Sequence, residues 1–344
     1  MSPLGRARYQ RDLVVANTAS RTMTVNDSGR TMTNLGATAG ITFTLPAGRE
    51  HDVYRFFCSA AYPMVITAGS ADGMFVDGIQ RANACSIMLW QIGHSATLRC
   101  DANGDFMVDQ ALPDGRDRCV LVENWNRPPG INADIQNSAE ATREIVNTDF
   151  EVLGVSADST EMTVNVEGGL AMATEGAEGD ETILLPHLDA SQSAWATTTW
   201  GTDRVVDWKA RILTGSSVTN LIIWAGLKLT NTDVGVTDAN QTYFRFEDDV
   251  SSGVWTTWTS NNDSDTTTVS SVTVATATQY DLWINYDSAR LCRMFINNVL
   301  ISTSAALKDT TDFIPYIGIE NDGGAGAAKT LRVLTGYTIS RKVG

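Results

Sequence analysis

The chain has 344 residues and a formal net charge of −15 at pH 7. Its length allows two domains, and an apolar content of 43% lets each domain bury a core of its own. The acidity is concentrated in residues 146–344, where 12 basic residues face 25 acidic ones, whereas residues 1–145 carry 13 against 15. Such a surface repels nucleic acid phosphates and anionic membranes, so we expect neither as a partner.

Residues 1–21 are predicted to form an extended, locally basic arm because proline and glycine near its start discourage regular structure. The arm could dock on an acidic neighbouring subunit, and the alternative is a frayed terminus. The predicted docking contacts are Arg6, Arg8, Tyr9 and Arg11. No apolar run suited to a signal peptide opens the chain, and no stretch approaches the roughly 18 apolar residues of a membrane helix, so we expect neither export by a classical signal nor membrane insertion.

Residues 22–111 alternate apolar and polar side chains in short runs between turn signals, which predicts a small β-domain. The clearest hairpin surrounds Asn103-Gly104, a pair suited to a type I′ turn. Residues 112–145 contain proline and glycine breaks and are predicted to be a linker, with one further strand around CVLVENW and a short helix or coil at 132–145.

Residues 146–344 contain longer strands at regular spacing, with glycine, asparagine and aspartate in the gaps. This pattern predicts an antiparallel β-sandwich, because neither βαβ alternation nor heptads are present. The predicted fold is therefore all-β, with a small N-terminal β-domain followed by a sandwich domain. The five cysteines follow no metal or disulfide spacing, so we expect buried free thiols made in a reducing cytoplasm.

Residues 26–48, followed by the hairpin LRCDANGDFMV, resemble a small β-domain of bacteriophage tail fibres, head fibres and other virion surface proteins. The positions that carry this resemblance are Asp27, Ser28, Gly29, Asn34, Gly36, Ala37, Leu45 and Pro46. Phe106 stands where the pattern often has tryptophan. The resemblance implies a virion structural protein, synthesised in the host cytoplasm and located on the virion surface.

Residues 280–304 resemble the paired strands of concanavalin-like and laminin-G jelly rolls. Asn298 occupies a position that usually holds glycine, and asparagine is the next best residue for positive φ. Residues 168–195 and 226–234 also resemble a jelly-roll family found among predicted phage virion proteins. This second resemblance implies an antiparallel jelly roll over 146–344, a fold that serves lectins, glycosidases and structural domains alike.

No catalytic constellation is evident in the sequence, so we predict no catalytic residues and no enzyme. The three histidines form no ligand motif, and no nucleophile elbow or phosphate-binding loop occurs. A glycosidase needs a pair of carboxylates, and the nearest candidate is Glu247-Asp248-Asp249. These acids are consecutive and lack a third acid at the required spacing, which favours turn and surface roles.

No metal or other cofactor is predicted. Asp101-x-Asn103-x-Asp105 matches only the opening of an EF-hand loop, and the hairpin interpretation is preferred. The loop containing Asn261, Asn262, Asp263 and Asp265 could gather oxygen ligands around calcium, and a solvated loop is the preferred alternative.

Tryptophans of the C-terminal half are the candidates for stacking on sugar rings. Those in apolar strands are assigned to the core. The candidate glycan-binding residues are Trp195, Trp200, Trp255 and Trp258. Because Trp255 and Trp258 are three residues apart on one strand, they should face opposite sides, and at most one can be exposed.

The expected function follows from the resemblance: a capsid decoration, cement or head-fibre protein that docks through its N-terminal region and displays the jelly roll outward. The alternative is a tail-fibre or receptor-binding protein whose jelly roll binds host surface glycan. Phage capsid or tail proteins are the implied partners, and such virion proteins are usually homotrimers.

Overall fold

The structure, a computed structural model, describes residues 14–76, 79–81, 83–90, 92–111, 118–125, 131–132, 150–157, 161–186, 200–202, 205–229, 238–309, 311–323 and 326–342. Over these ranges the chain is built from β-strands, with 3-10 turns at Val25–Asp27 and Ser251–Gly253 and no α-helix. Among these residues no helix has the length and hydropathy needed to cross a membrane. The chain divides into two compact units, Met1–Arg116 and Asp117–Gly344.

The first unit begins as a short parallel β-solenoid. Its first six strands alternate between two sheets, and successive strands within each sheet pair in parallel. Three turns of chain are thereby stacked on one another. The strands are β1 (Val14–Ala16), β2 (Arg21–Thr22), β3 (Thr31–Thr33), β4 (Ile41–Thr44), β5 (Val53–Phe57) and β6 (Met64–Thr67).

Five further strands then close the solenoid. They are β7 (Met74–Val76), β8 (Ile79–Gln80), β9 (Ser86–Leu89), β10 (Ser95–Cys100) and β11 (Phe106–Ala111). They pair antiparallel, except that β11 pairs with β7 in parallel. The sheet orders are β1-β3-β5-β10-β11-β7-β8 and β2-β4-β6-β9. The predicted hairpin joins β10 to β11, but only Gly104 has positive φ there, so the turn is a longer loop and not the predicted type I′ turn.

Two residues of the phage-like segment have clear structural roles in this solenoid. Asn34 is fully buried, and its Oδ1 accepts the backbone N–H of Ser59 at 2.7 Å and of Ala60 at 2.9 Å. Asp27 is also buried and receives hydrogen bonds from Thr24 and Arg21. Burial opposes its ionisation, but these hydrogen bonds and the arginine charge lower the pKa of Asp27.

The second unit is an antiparallel jelly-roll sandwich of two sheets, which confirms the predicted fold class. One sheet, which we call the front sheet, has the strand order β13-β14-β17-β26-β19-β20-β21-β22. The other, which we call the back sheet, has the order β15-β16-β27-β18-β23-β24-β25. Strand β28 extends the back sheet by pairing with β18, and β12 pairs with β28. Among the described strand pairs of the second unit, only the short β13–β14 pair is parallel.

The front-sheet strands are β13 (Ile131–Asn132), β14 (Phe150–Leu153), β17 (Glu181–Pro186), β19 (Leu221–Lys228), β20 (Asn240–Glu247), β21 (Val254–Asn261), β22 (Asp265–Thr273) and β26 (Ile314–Asn321). The back sheet and its extension comprise β12 (Arg118–Glu123), β15 (Met162–Val164), β16 (Leu170–Ala173), β18 (Val206–Thr214), β23 (Gln279–Tyr286), β24 (Leu291–Ile296), β25 (Val299–Ala306), β27 (Thr330–Val333) and β28 (Tyr337–Lys342).

The main core fills the space between these two sheets. Every second residue of each central strand contributes to it, as Ile223 and Ala225 do from the front sheet and Trp208 and Ile284 do from the back sheet. The hairpin between β24 and β25 turns at two asparagines, both with positive φ, so Asn298 does replace the glycine of the jelly-roll pattern.

The segment boundaries differ from the predicted ones. Strand β1 and the first residue of β2 lie within the predicted arm of residues 1–21, because parallel partners in the solenoid hold these strands. Strand β12 lies within the predicted linker of 112–145 and belongs to the second unit, since its Leu121 is buried in the sandwich core. The predicted helix at 132–145 falls almost wholly outside the described residues.

Candidate functional site

The structure separates the predicted glycan-binding tryptophans. Trp200 and Trp255 are fully buried in the core between the sheets, so neither ring is available to stack on a sugar. Trp258 is half-buried on the opposite side of β21 from Trp255, as their spacing predicts. Trp195 and the four predicted docking residues Arg6, Arg8, Tyr9 and Arg11 lie outside the described residues.

Trp258 belongs to a second cluster on the front face, by which we mean the surface of the front sheet that points away from the back sheet. The cluster contains Trp224, Tyr243 and Tyr316, each from a different strand, and it is distinct from the core between the sheets. A sheet that packed on one side only would carry small polar residues here. Both faces of the front sheet therefore carry large apolar side chains.

A stacked pair of rings, of which only Trp258 is partly exposed, lies beside a partly exposed guanidinium on the front face. Tyr243 lies directly opposite Trp258 in the strand register, and their rings stack with centroids 6.0 Å apart and planes within 9°. The guanidinium of Arg245 lies over the Trp258 ring at 5.8 Å. The Trp258 indole N–H donates to the Thr256 hydroxyl, which fixes the orientation of the ring. We call Tyr243, Arg245 and Trp258 the platform.

Trp224 lies beside the platform, in register with Arg245 on one side and Gly318 on the other. A Cβ atom at Gly318 would come within 3.2 Å of the Trp224 ring and within 3.2 Å of Ile183. Because Gly318 has no Cβ atom, it leaves room for the indole ring of Trp224. On the far side of this cluster the Lys228 ammonium lies 5.4 Å from the centre of the Tyr316 ring.

Carboxylates collect at the end of the front face next to the platform. Carboxylate oxygens of Glu247, Asp249 and Asp322 all lie within 4.8 Å of one another, and Glu247 forms an ion pair with Arg245. Glu320 lies on the same face, since both it and Glu247 pair with Ile222. Asp322, which directly follows β26, thus supplies the third acid that the local sequence around Glu247 and Asp249 lacks.

The environment of Glu247, Glu320 and Asp322 opposes the ionisation of these three carboxyl groups. Burial, followed by the negative charges of neighbouring acids, raises the pKa of Glu320 and of Asp322. Burial also raises the pKa of Glu247, although the charge of Arg245 acts in the opposite direction. The group can therefore hold protons or accept hydrogen bonds from hydroxyl groups more readily than separated surface acids.

The same three carboxylates could hold a cation, since carboxylate oxygens at this spacing are the usual ligands of calcium. Among the described residues, Glu247, Asp249 and Asp322 form the one group of three acidic, histidine or cysteine side chains whose ligand atoms all lie within 4.8 Å of one another. It differs from the calcium loop considered at Asn261–Asp265, where Asn262 and Asp263 have positive φ and form a tight turn.

The other candidate calcium ligands, Asp101 and Asp105, serve the backbone. Oδ1 of Asp101 accepts the N–H of Asn103 at 2.8 Å and of Asp105 at 3.0 Å. Oδ1 of Asp105 accepts the N–H of Gly73 at 2.8 Å. These bonds stabilise the hairpin loop, in agreement with the preferred interpretation of this motif.

Comparison with known proteins gives similarity of structure only. No family model and no curated protein sequence matches the chain. Similar solved structures include alginate lyase A1-II′ of polysaccharide lyase family 7, with 15% identity, a TM-score of 0.40, and coverage of 55% of this chain and 86% of that one. The carbohydrate binding module CBM66 from Bacillus subtilis has 8% identity, a TM-score of 0.36, and coverage of 57% and 99%. A Bacillus licheniformis β-glucanase has 7% identity, a TM-score of 0.41, and coverage of 58% and 95%.

The lyases among these structures contradict the prediction that the protein is not an enzyme, and we correct that prediction. At these identities and TM-scores the likeness assigns no substrate and no residue role to this chain. The sequence argument against catalysis also loses one of its premises, since Asp322 completes a carboxylate group with Glu247 and Asp249.

Proposed function

We propose that the protein is a phage virion surface protein whose second unit binds polysaccharide on the front face. The observation that carries the binding proposal is the platform, in which the Trp258 ring stacks with Tyr243 and lies beneath the guanidinium of Arg245. Of the expected functions, the platform favours the receptor-binding or tail-fibre type over a decoration protein that is only structural.

The chemistry of the platform fits a sugar. A pyranose ring has apolar C–H faces that pack on aromatic rings and a rim of hydroxyls that need both donors and acceptors. Trp258 offers a half-buried ring, and Arg245 offers donors, with 24% of its side chain exposed. Glu247 and Glu320 offer acceptors on the same face. A repeating chain could lie across several strands and use these groups in turn.

The virion location is proposed from the resemblance of residues 26–48. Asn34 and Asp27 are both buried within the solenoid turns, which supports a structural reason for the shared motif. The first unit is close to neutral, so we propose that it docks on phage capsid or tail proteins while the acidic second unit remains solvated. We also propose a homotrimer, as the resemblance implies.

The binding proposal is tested by measuring affinity of the full-length protein for bacterial surface polysaccharides on an array and in solution. Trp258→Ala should weaken binding about five-fold, because an aromatic contact of this kind contributes on the order of 1 kcal/mol. Trp258→Phe should retain most of the affinity. Leu300→Ala, at an exposed position on the back sheet, is the matched control. Equal binding by the wild type and Trp258→Ala would refute the platform as the binding site.

The location is tested by immunogold electron microscopy of phage particles with antibody to this chain. We expect label at the tail tip or at fibres that project from the particle. Label spread over the head in many copies would favour capsid decoration instead. Particles without label would refute the virion proposal while leaving the glycan measurement unaffected.

A further inference from the structure

The charge around the platform is strongly negative. One arginine, Arg245, lies among six carboxylates whose charges act on one another, so the formal charges of these seven groups sum to −5. The six acids are Glu178, Glu247, Asp248, Asp249, Glu320 and Asp322. The ion pair between Arg245 and Glu247 occupies part of the guanidinium. A polyanion that approached this face would therefore meet net repulsion.

Two unpaired donors also belong to residues of this face. The indole N–H of Trp224 is buried without a hydrogen-bond partner, and Trp224 itself is 3% exposed. Arg245 lies opposite Trp224 in the strand register, and its Nε–H is likewise without a hydrogen-bond partner. Other described tryptophans with an unpaired indole N–H lie in the core between the sheets. Trp224 is different because it lies on the front face.

A comparison with the back sheet supports this distinction. Trp283 lies on the outer surface of that sheet and stacks on Phe295, and its indole N–H donates to the carboxylate of Asp207. An internal acceptor thus satisfies the outward tryptophan of the back sheet. On the front sheet two adjacent donors, from Trp224 and Arg245, have no internal hydrogen-bond acceptor. Buried donors of this kind normally find an acceptor, so they indicate a ligand oxygen.

We infer that the glycan bound at the front face is an uncharged, hydroxyl-rich polysaccharide and not a polyuronate. Its hydroxyl oxygens accept from the N–H groups of Trp224 and Arg245, and its hydroxyl protons are donated to Glu247, Glu320 and Asp322. A hydroxyl group can do both, whereas a carboxylate can only accept and adds charge to an acidic surface. This inference rests on the proposed function and specifies its ligand class.

The test compares neutral and anionic polysaccharides with the full-length protein. Laminarin, dextran and mannan are the neutral probes, and alginate and polygalacturonate are the anionic ones. Affinity is measured at about 20 mM and about 500 mM NaCl, where screening differs strongly. We expect at least one neutral probe to bind with little salt dependence, and the polyuronates to bind at least ten-fold more weakly at low salt. Tighter binding of the polyuronates would overturn the inference and leave the proposed function standing.

Variants separate the two parts of the inference. Trp224→Phe keeps the ring and removes the N–H, and it should weaken binding of the neutral probe about five-fold, as expected for one hydrogen bond. Glu320→Gln should reduce the discrimination against polyuronates about two-fold or more by removing one repelling charge. Leu300→Ala should change neither value. An unchanged affinity of Trp224→Phe for the neutral probe would overturn the donor role. If no probe binds and Trp258→Ala has no effect on any glycan, the proposed function itself fails.

Discussion

Neutralising Asp322 should stabilise the second unit. Its carboxylate lies within 4.8 Å of those of Glu247 and Asp249, and at that separation Coulomb's law gives about 0.9 kcal/mol per pair in water and about 3.5 kcal/mol at an effective dielectric constant of 20. Arg245 offsets part of this repulsion through its ion pair with Glu247. We therefore expect Asp322→Asn to raise the free energy of unfolding by about 1 kcal/mol at neutral pH.

The pH dependence of this effect has a definite sign. Because the folded state raises the pKa of Asp322, Glu247 and Glu320, it binds more protons than the unfolded state just above the ordinary carboxyl range. Stability should therefore fall as pH rises through that window and then level off at neutral pH. Asp322→Asn should make this decline shallower.

The assay is urea unfolding of the full-length protein, followed by tryptophan fluorescence at pH values from about 4 to 8, with thermal unfolding as a second measure. A gain of about 1 kcal/mol corresponds to roughly 2–4 °C in Tm for a unit of this size. Glu175→Gln is the control, since it removes one charge at an exposed position for which the structure gives no charge partner. The reasoning is refuted if Asp322→Asn is no more stable than Glu175→Gln at neutral pH.

Three further predictions concern other parts of the molecule. Asn34→Ala should destabilise the first unit by about 1–3 kcal/mol, because two N–H groups of the next solenoid turn lose their buried acceptor; a urea midpoint unchanged from wild type would contradict this. Gly318→Ala should displace the Trp224 ring and weaken neutral glycan binding several-fold with little change in circular dichroism, and retained affinity would show that the ring has room to move. Burial raises the pKa of Cys292 to about 12, so its thiol should resist alkylation at pH 8 until the protein is unfolded; rapid modification of the native protein at Cys292, identified by peptide mass spectrometry, would show that the thiol is accessible.

Alternation of apolar and polar residues was a sufficient signal for some of the sandwich strands. The runs around β18 and β23 are long enough that their period of two cannot be mistaken for helix. Strands β19 and β26 are instead nearly continuous apolar runs, which their length and the neighbouring turn residues mark as buried strands. The turn at Asn298 could also be predicted, since positive φ depends on the local residue type. Pairing in the first unit could not be predicted in this way. Apolar and polar residues alternate in the same way in parallel and in antiparallel strands. The solenoid can therefore be recognised only from the strand pairing in the structure.

The candidate site shows the same division between local and long-range information. Trp258 could be predicted as a candidate from its place in a polar strand, whereas Glu247 and Asp249 could not, because their local spacing lacks another acid. Asp322 joins them only because β26 and β20 flank β19 in the front sheet. Arg245 and Tyr243 gave no local signal at all, since a charged or aromatic residue in a strand is as common in structural sheets as in binding sites.

By itself, the sequence determined that the protein is all-β, acidic in its second half and built of short strands with asparagine and glycine turns, because these properties depend on neighbouring residues. The tertiary structure decided which tryptophans are buried, which acids share a surface, and that the front sheet has two apolar faces. Each of these depends on contacts between residues distant in the chain, and strand order in a sheet is set by the packing of the whole unit and not by the pattern within any strand.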